Sequence, residues 1–163
     1  TLYDYNLVER NGRSGIYHEI SYDAVIRNNT VRGNGHDRAR WASGAGIRVA
    51  NSSNVEVYGN HVEDNGRGIV LSQQDRGRGE RGAWETRNVH VRDNTVIMTT
   101  GFTGLVQDTG KNAVFTKWNN RFEGNTYFLD KLTARRFSWM NRRTDMRGWR
   151  HSGQDTEGRF IAK

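Results

Sequence analysis

Ala24-Val-Ile-Arg-Asn-Asn-Thr-Val-Arg-Gly-Asn34 and Asn54-Val-Glu-Val-Tyr-Gly-Asn-His-Val-Glu-Asp-Asn65 carry one pattern twice: an alternating apolar strand, an Asn, a second short strand and a turn ending in Asn. The central phrase recurs as Asn6-Leu7-Val8, Asn29-Thr30-Val31, Asn60-His61-Val62, Asn94-Thr95-Val96 and Asn120-Arg121-Phe122, at intervals of 23, 31, 34 and 26 residues. Such recurrence predicts stacked coils of similar build, each too small to bury an apolar face alone. A second phrase, Gly15-Ile16, Gly46-Ile47, Gly68-Ile69 and Gly104-Leu105, opens the next strand.

Strand alternation sends Ala24/Val55/Val89/Phe115, Ile26/Val57/Val91 and Val31/Val62/Val96/Phe122 inward as three columns. An Asn between two strands can take the left-handed backbone, and its amide can bond to the same turn one coil above. Glycine before each Ile or Leu allows a sharp corner. Three short strands with three turns need about 22 to 23 residues. The fold expected is all-β: a single-stranded right-handed parallel β-helix of about five coils with a C-terminal cap segment.

The pattern resembles the parallel β-helix repeat (PbH1) family of the pectin-lyase-like superfamily, through Ser14-Gly-Ile-Tyr, the two stretches quoted above and Ala45-Gly-Ile-Arg-Val. The resemblance covers residues 1 to roughly 127. It implies the fold and an extracellular or cell-surface, secreted setting. The superfamily includes polysaccharide lyases, glycoside hydrolases, uronate epimerases, carbohydrate-binding proteins and phage tailspikes, so the fold alone does not choose an activity.

The chain of 163 residues opens inside a repeat, at Leu2-Tyr-Asp-Tyr-Asn-Leu-Val-Glu-Arg-Asn11, which predicts that further coils precede it. Residues 1–127 are assigned to coils and 128–163 to a C-terminal cap. In the cap, strand alternation around Phe137-Ser-Trp139 and a short helix from Arg142 to Trp149 are expected, with Trp149 and Asp155 sealing the stack. No apolar run reaches 18 residues and no signal peptide opens the chain, so no membrane insertion is expected. There is no cysteine for disulfide or thiolate chemistry, and no proline; Asn and 19 Gly supply the turns.

A net charge of +7 implies attraction to polyanions, acidic polysaccharide before nucleic acid, because no nucleic-acid motif is present. Arginines cluster in His36-Asp-Arg-Ala-Arg-Trp41, in Arg76-Gly-Arg-Gly-Glu-Arg81 and between Arg135 and Arg150. The first two clusters lengthen two repeat intervals and are expected to be loops, with residues 74–83 solvated and mobile.

Aligning the Asn phrases places Arg27, Tyr58, Arg92 and Trp118 in one outward column about 4.8 Å per coil apart. Such a ladder of cations and rings suits a uronic-acid polymer, with carboxylates on guanidinium forks and sugar faces on Tyr58 and Trp118. A neighbouring column, Val25/Glu56/His90/Thr116, puts Glu56 beside His90. On the glycine strand Tyr17, Arg48, Val70 and Val106 face outward, and Tyr17-His18-Glu19 with Arg48 holds the group types that β-elimination or epimerisation of a uronate needs. His18, however, shares a column with Val49 and Leu71 and is expected to face inward. The catalytic residues therefore remain unknown, with Glu56, His90, Tyr17 and Arg48 as weak candidates.

Asp23, Asp64, Asp93 and Asp108 do not share a column, so no catalytic residue is carried over from lyases or hydrolases. His36-Asp37 and His61/Glu63 lack a convergent third ligand for zinc, and no phosphate loop is present. No cofactor is expected, while calcium stays open because oxygen ligands on loops leave no spacing to read. The expected function is a carbohydrate-active or carbohydrate-binding β-helix acting on an extracellular acidic polysaccharide, whether as lyase, hydrolase or epimerase. The alternative is a noncatalytic surface or adhesin-type solenoid.

Overall fold

A computed structural model describes residues 1–36 and 40–163. Short alternating strands end wherever one residue enters the left-handed region. Arg10, Gly33 and Asp64 make one such corner, and Asn28, Gly59, Asp93 and Gly124 another, with φ between 48° and 65°. The chain winds through these corners into a parallel β-solenoid of about five turns and three faces.

The glycine face is built from residues 16–19, residues 45–50, Arg67–Gln73, Thr103–Gln107 and Phe137–Trp139. The middle face contains Leu2–Asp4, residues 24–27, residues 53–58, Arg87–Arg92 and Arg121–Glu123. The valine face stacks Leu7–Glu9, Thr30–Arg32, His61–Glu63, Thr95–Met98, Thr126–Leu129 and Arg159–Ala162. Ala24/Val55/Val89, Ile26/Val57/Val91 and Val31/Val62/Val96 are all buried inside the triangle. Each such side chain contributes about 1.5–3 kcal/mol of burial free energy.

The asparagine ladder exists, but its members are not the left-handed residues; each follows one. Backbone N and Nδ2 of Asn29 both donate to Asn60 Oδ1, at 3.0 and 2.9 Å. Asn60 repeats this with Asn94, and Asn94 with Asn125. Asn11, Asn34 and Asn65 build a second ladder at the next corner. A third, exposed ladder runs Asn119–Asn88–Asn54–Asp23 through side chains alone.

Asn120-Arg121-Phe122 is therefore not the fifth copy of the phrase. Phe122 registers with Val91 on the middle face, and Asn120 Oδ1 accepts from Val89 N at 3.1 Å. The fifth copy is Asn125-Thr126-Tyr127, with Tyr127 in the Val96 column. The cause is helix α1 (Ala113–Thr116), which replaces the strand expected there and takes Phe115 out of the Val89 column while keeping it buried.

The glycine phrase slips at the same turn, where Gly104 pairs with Val70 and Leu105 with Leu71. Gly15 and Gly46 serve close approach. A Cβ there would lie 2.6 Å from Val31 or Val62 and within 2.9 Å of the Nδ2 of Asn34 or Asn65.

Residues 128–163 supply both the last coil strands and their cover. Arg142–Thr144 turns back antiparallel on Phe137–Trp139. Helix α2 (Met146–His151) is capped by Asp145, which accepts from Arg147 N and Gly148 N. It places the fully buried Trp149 ring 5.1 Å from both Phe122 and Phe137. The Asn ladder ends on Asp155: Oδ1 accepts from Asn125 N and Nδ2, and Oδ2 from Tyr127 Oη and Trp149 Nε1.

Candidate functional site

On the middle face the outward row is Asp4/Arg27/Tyr58/Arg92/Glu123. Three of the four expected members are present, and Glu123 stands where Trp118 was expected. Trp118 instead follows helix α1 and is buried in the core cluster, with the Arg87 guanidinium 4.8 Å from its ring.

The row is internally neutralised. Arg27 donates to Asp4 Oδ2 at 2.9 and 2.7 Å and to Tyr58 Oη at 3.2 Å. Arg92 lies 4.2 Å from the Tyr58 centroid and bonds to Glu56 and Asp93. The Arg27 guanidinium holds the Asp4 carboxyl below the usual carboxylate range. A ligand carboxylate would have to displace these partners.

The adjacent row is Val25/Glu56/His90/Arg121, with Arg121 in the place expected for Thr116. Glu56 does approach His90, at 3.6 Å from Nδ1, but both ring nitrogens are already engaged. Arg121 Nη2 lies 3.1 Å from Nδ1 and can only donate, so Nε2 carries the proton and donates to Glu123 at 2.8 Å. In this state the imidazole offers no lone pair to a substrate.

The glycine face differs. Its outward row is Tyr17/Arg48/Val70/Gly104/Ser138/Arg143; Val106 lies two residues further along, opposite Ser72. Tyr17 and Trp41 expose 42% and 40% of their surface, and Arg48, only 8% exposed, lies 4.7 and 5.7 Å from their ring centroids. Its Nε donates to Ser72 Oγ at 3.1 Å. Among the described residues no carboxylate lies within ion-pair distance of Arg48 or Arg143. Burial lowers the Arg48 pKa from its ordinary value.

Further along, Arg67 and Arg143 lie 5.2 and 3.5 Å from the centroid of Phe102, which belongs to a small apolar cluster outside the solenoid with Val70 and Val106. A cavity of about 350 Å³ opens between Trp41, Arg67, Phe102, Ser138, Asn141 and Arg143.

The Tyr17-His18-Glu19 trio divides between two sides of the sheet. His18 is buried beside Val49, as its column predicts, and burial lowers its pKa, with the N-terminal amino group adding to the effect. Tyr17 is pushed up to about 12 by burial, then by the hydrogen bond to Glu19, which makes it a poor base near neutrality.

The Arg76–Arg81 loop is folded rather than simply solvated. Arg78–Gly79 pairs with Gly82–Ala83, Trp84 packs on Tyr22 at 4.6 Å, and Arg81 covers Tyr22 at 4.0 Å while bonding to Asp23. Part of the His36–Trp41 run, including Asp37, lies outside the described residues. His61 meets Glu63 at 3.1 Å as an isolated pair. Among the described residues no group of three or more His, Asp or Glu is placed to hold a metal ion.

Trp41 and Arg143 were read only as parts of arginine-rich runs, and Arg67 and Phe102 were not singled out by the sequence. Arg143 reaches the face through an antiparallel return that no repeat announces, and Arg67 sits one residue before a recognised phrase without marking itself as outward.

Three parallel faces and two buried amide ladders define a parallel β-solenoid. The model for the right-handed beta helix region matches residues 1–137, and the chain belongs to that family. Neither a curated protein nor a solved structure matches the chain significantly.

Proposed function

We propose that this β-helix binds an extracellular acidic polysaccharide along its glycine face, as a carbohydrate-binding or carbohydrate-active protein. The observation that carries the reading is the contrast between two rows of the same residue types. Arg27 and Arg92 are bonded to the protein's own carboxylates, whereas Arg48 lies between two exposed rings with a serine as its side-chain hydrogen-bond partner. Exposed rings take sugar faces, and guanidinium forks take carboxylates. The next positions along the row, Val70 and Ser138, are buried, so the two rings and Arg48 offer a place for one sugar and its carboxylate.

Calorimetric titration with an oligouronate at two salt concentrations tests this. Trp41→Ala should weaken binding by about 1–3 kcal/mol through lost stacking, and Arg48→Gln should reduce the salt dependence. An oligouronate affinity equal to wild type in both variants, with loss instead in Arg27→Gln, would move the site to the middle face.

A further inference from the structure

We infer that Arg76 keeps the sugar site open to an anion by holding the Glu19 carboxylate away from Arg48, and is thereby a specificity-determining residue of that site. This role rests on the glycan reading above, since it concerns which carboxylate Arg48 meets.

Glu19 is placed to take Arg48 for itself. It lies two residues beyond Tyr17 on the same side of the strand and registers with Ala50, so Arg48 is its diagonal neighbour on the next coil. One coil step of about 4.8 Å and two residues of about 3.3 Å each set that diagonal at roughly 8 Å, a span that two long side chains close. The middle face holds an equivalent diagonal in the closed state: Glu56 registers with His90 and lies 3.3 Å from the Nε of Arg92, two residues along. On the glycine face the diagonal is open. The Glu19 carboxylate is turned to Arg76 instead, whose Nη2 lies 3.3 Å from Oε1, and that oxygen is buried. The Tyr17 hydroxyl donates to the same carboxylate.

Arg76 is itself fixed from the other side. Its Nη2 donates to Gln74 Oε1 at 3.0 Å, and Gln74 Nε2 donates to Asp108 Oδ2 at 3.0 Å. The inserted loop that carries Arg76 has two further anchors, Trp84 on Tyr22 and Arg81 on Asp23, so its docking does not depend on Arg76. Both charges are felt at Arg48: after burial, which lowers its pKa most, Tyr17 and Glu19 raise it and Arg76 lowers it. Without Arg76, Glu19 would present an uncompensated negative charge beside Arg48. It could then swing onto the guanidinium, and it would repel an incoming carboxylate. A neutral sugar meets neither obstacle.

The test is calorimetric titration of the whole chain with an oligouronate and with a neutral oligosaccharide of equal length. Wild type is compared with Arg76→Gln, Glu19→Gln, the double variant and Arg48→Gln, and limited proteolysis checks the inserted loop in each. Arg76→Gln should weaken the oligouronate about fivefold or more and leave neutral-sugar binding unmoved. The double variant should return oligouronate affinity to within about twofold of wild type, because an amide at position 19 still accepts from Tyr17 but carries no competing charge. A residue that only anchored the loop would not be rescued in this way. The NMR signal of the Arg48 Nε–H group reads the same event without ligand: it should shift in Arg76→Gln and return in the double variant.

If Arg76→Gln binds the oligouronate as wild type does, or the double variant stays as weak as Arg76→Gln, while Arg48→Gln loses binding, the glycan reading stands and the role of Arg76 is wrong. If wild type binds no oligouronate, the glycan reading is wrong. The Arg48 signal then decides the remainder: unmoved in Arg76→Gln, it would show that Arg76 does not hold Glu19 away from Arg48.

Discussion

Replacing Asp155 by Asn changes one atom and should destabilise the whole stack. The wild-type carboxylate, 1% exposed, accepts four hydrogen bonds: Asn125 N and Nδ2 at 2.9 Å each on Oδ1, Tyr127 Oη at 2.7 Å and Trp149 Nε1 at 3.0 Å on Oδ2. An amide has one acceptor oxygen. If that oxygen serves Asn125, the new NH₂ faces Tyr127, whose hydroxyl can turn to accept, and the Trp149 indole N–H, which can only donate. The opposite orientation sets the NH₂ against two Asn125 donors. Either way at least one buried donor loses its acceptor, which costs about 1–3 kcal/mol.

Urea unfolding followed by tryptophan fluorescence reads this directly. With a slope of about 2 kcal/mol per molar, a loss of 2 kcal/mol lowers the midpoint by about 1 M. The pH dependence gives an independent check. Burial raises the Asp155 pKa above its ordinary value, against the pull of its donors. The folded state then holds the proton more tightly than the unfolded state. The contribution of Asp155 is full below the unfolded value, about pH 4, and declines as pH rises through the raised folded value. The stability gap between wild type and Asp155→Asn should therefore narrow over that interval and stay constant above it. An unchanged midpoint would refute the donor-counting argument, and a gap that widens with pH would show that the four donors outweigh burial and hold the Asp155 carboxyl ionised.

The buried and exposed amide ladders should separate in the same assay. Asn60→Ala strands the Asn29 donors and the Ile26 carbonyl and should cost about 2–4 kcal/mol, whereas Asn54→Ala on the solvent side should stay within about 0.5 kcal/mol. Similar losses from the two would mean that burial does not set the worth of a rung. Trp84→Ala removes the ring that docks the inserted hairpin on Tyr22, so limited proteolysis should cut within residues 76–82 well before the wild type, with the unfolding midpoint little moved. Equal cleavage rates would show that the hairpin is held by the Arg81–Asp23 pair instead.

Three of the faces' inward columns were legible because a period-two pattern repeated at a regular interval admits few alternative registers. Legibility failed at one turn. Asn120-Arg121-Phe122 matches the repeated phrase locally, and the repeat does not reveal that helix α1 occupies residues 113–116 and moves the middle-face strand on to Arg121–Glu123. The slip carried Trp118 into the expected ladder, although its true neighbours are core side chains. The inward turn of His18 was readable, since it needs only the identity of its column mates. The carboxylate partners of Arg27 and Arg92 were less so. Asp4 enters the row from a strand whose register depends on the coil lengths, and Glu56 and Asp93 reach Arg92 from flanking positions.

In a solenoid, the outward residue of one coil is placed about 4.8 Å from that of the next, so the charge of a row is decided by which residues the coil lengths bring into step. On the middle face the lengths bring Asp4 beside Arg27 and Glu56 within reach of Arg92, and both arginines hold cross-coil ion pairs on a solvated surface. Such pairs contribute little to stability individually, yet they remove the cations from competition for ligands. On the glycine face the same arithmetic brings Val70, Gly104 and Ser138 between Arg48 and Arg143, neither of which meets a carboxylate among the described residues. The excess positive charge of the chain thus has two different meanings on two sides of one helix. Pairing with the protein's own carboxylates, rather than the number of arginines, distinguishes the two rows.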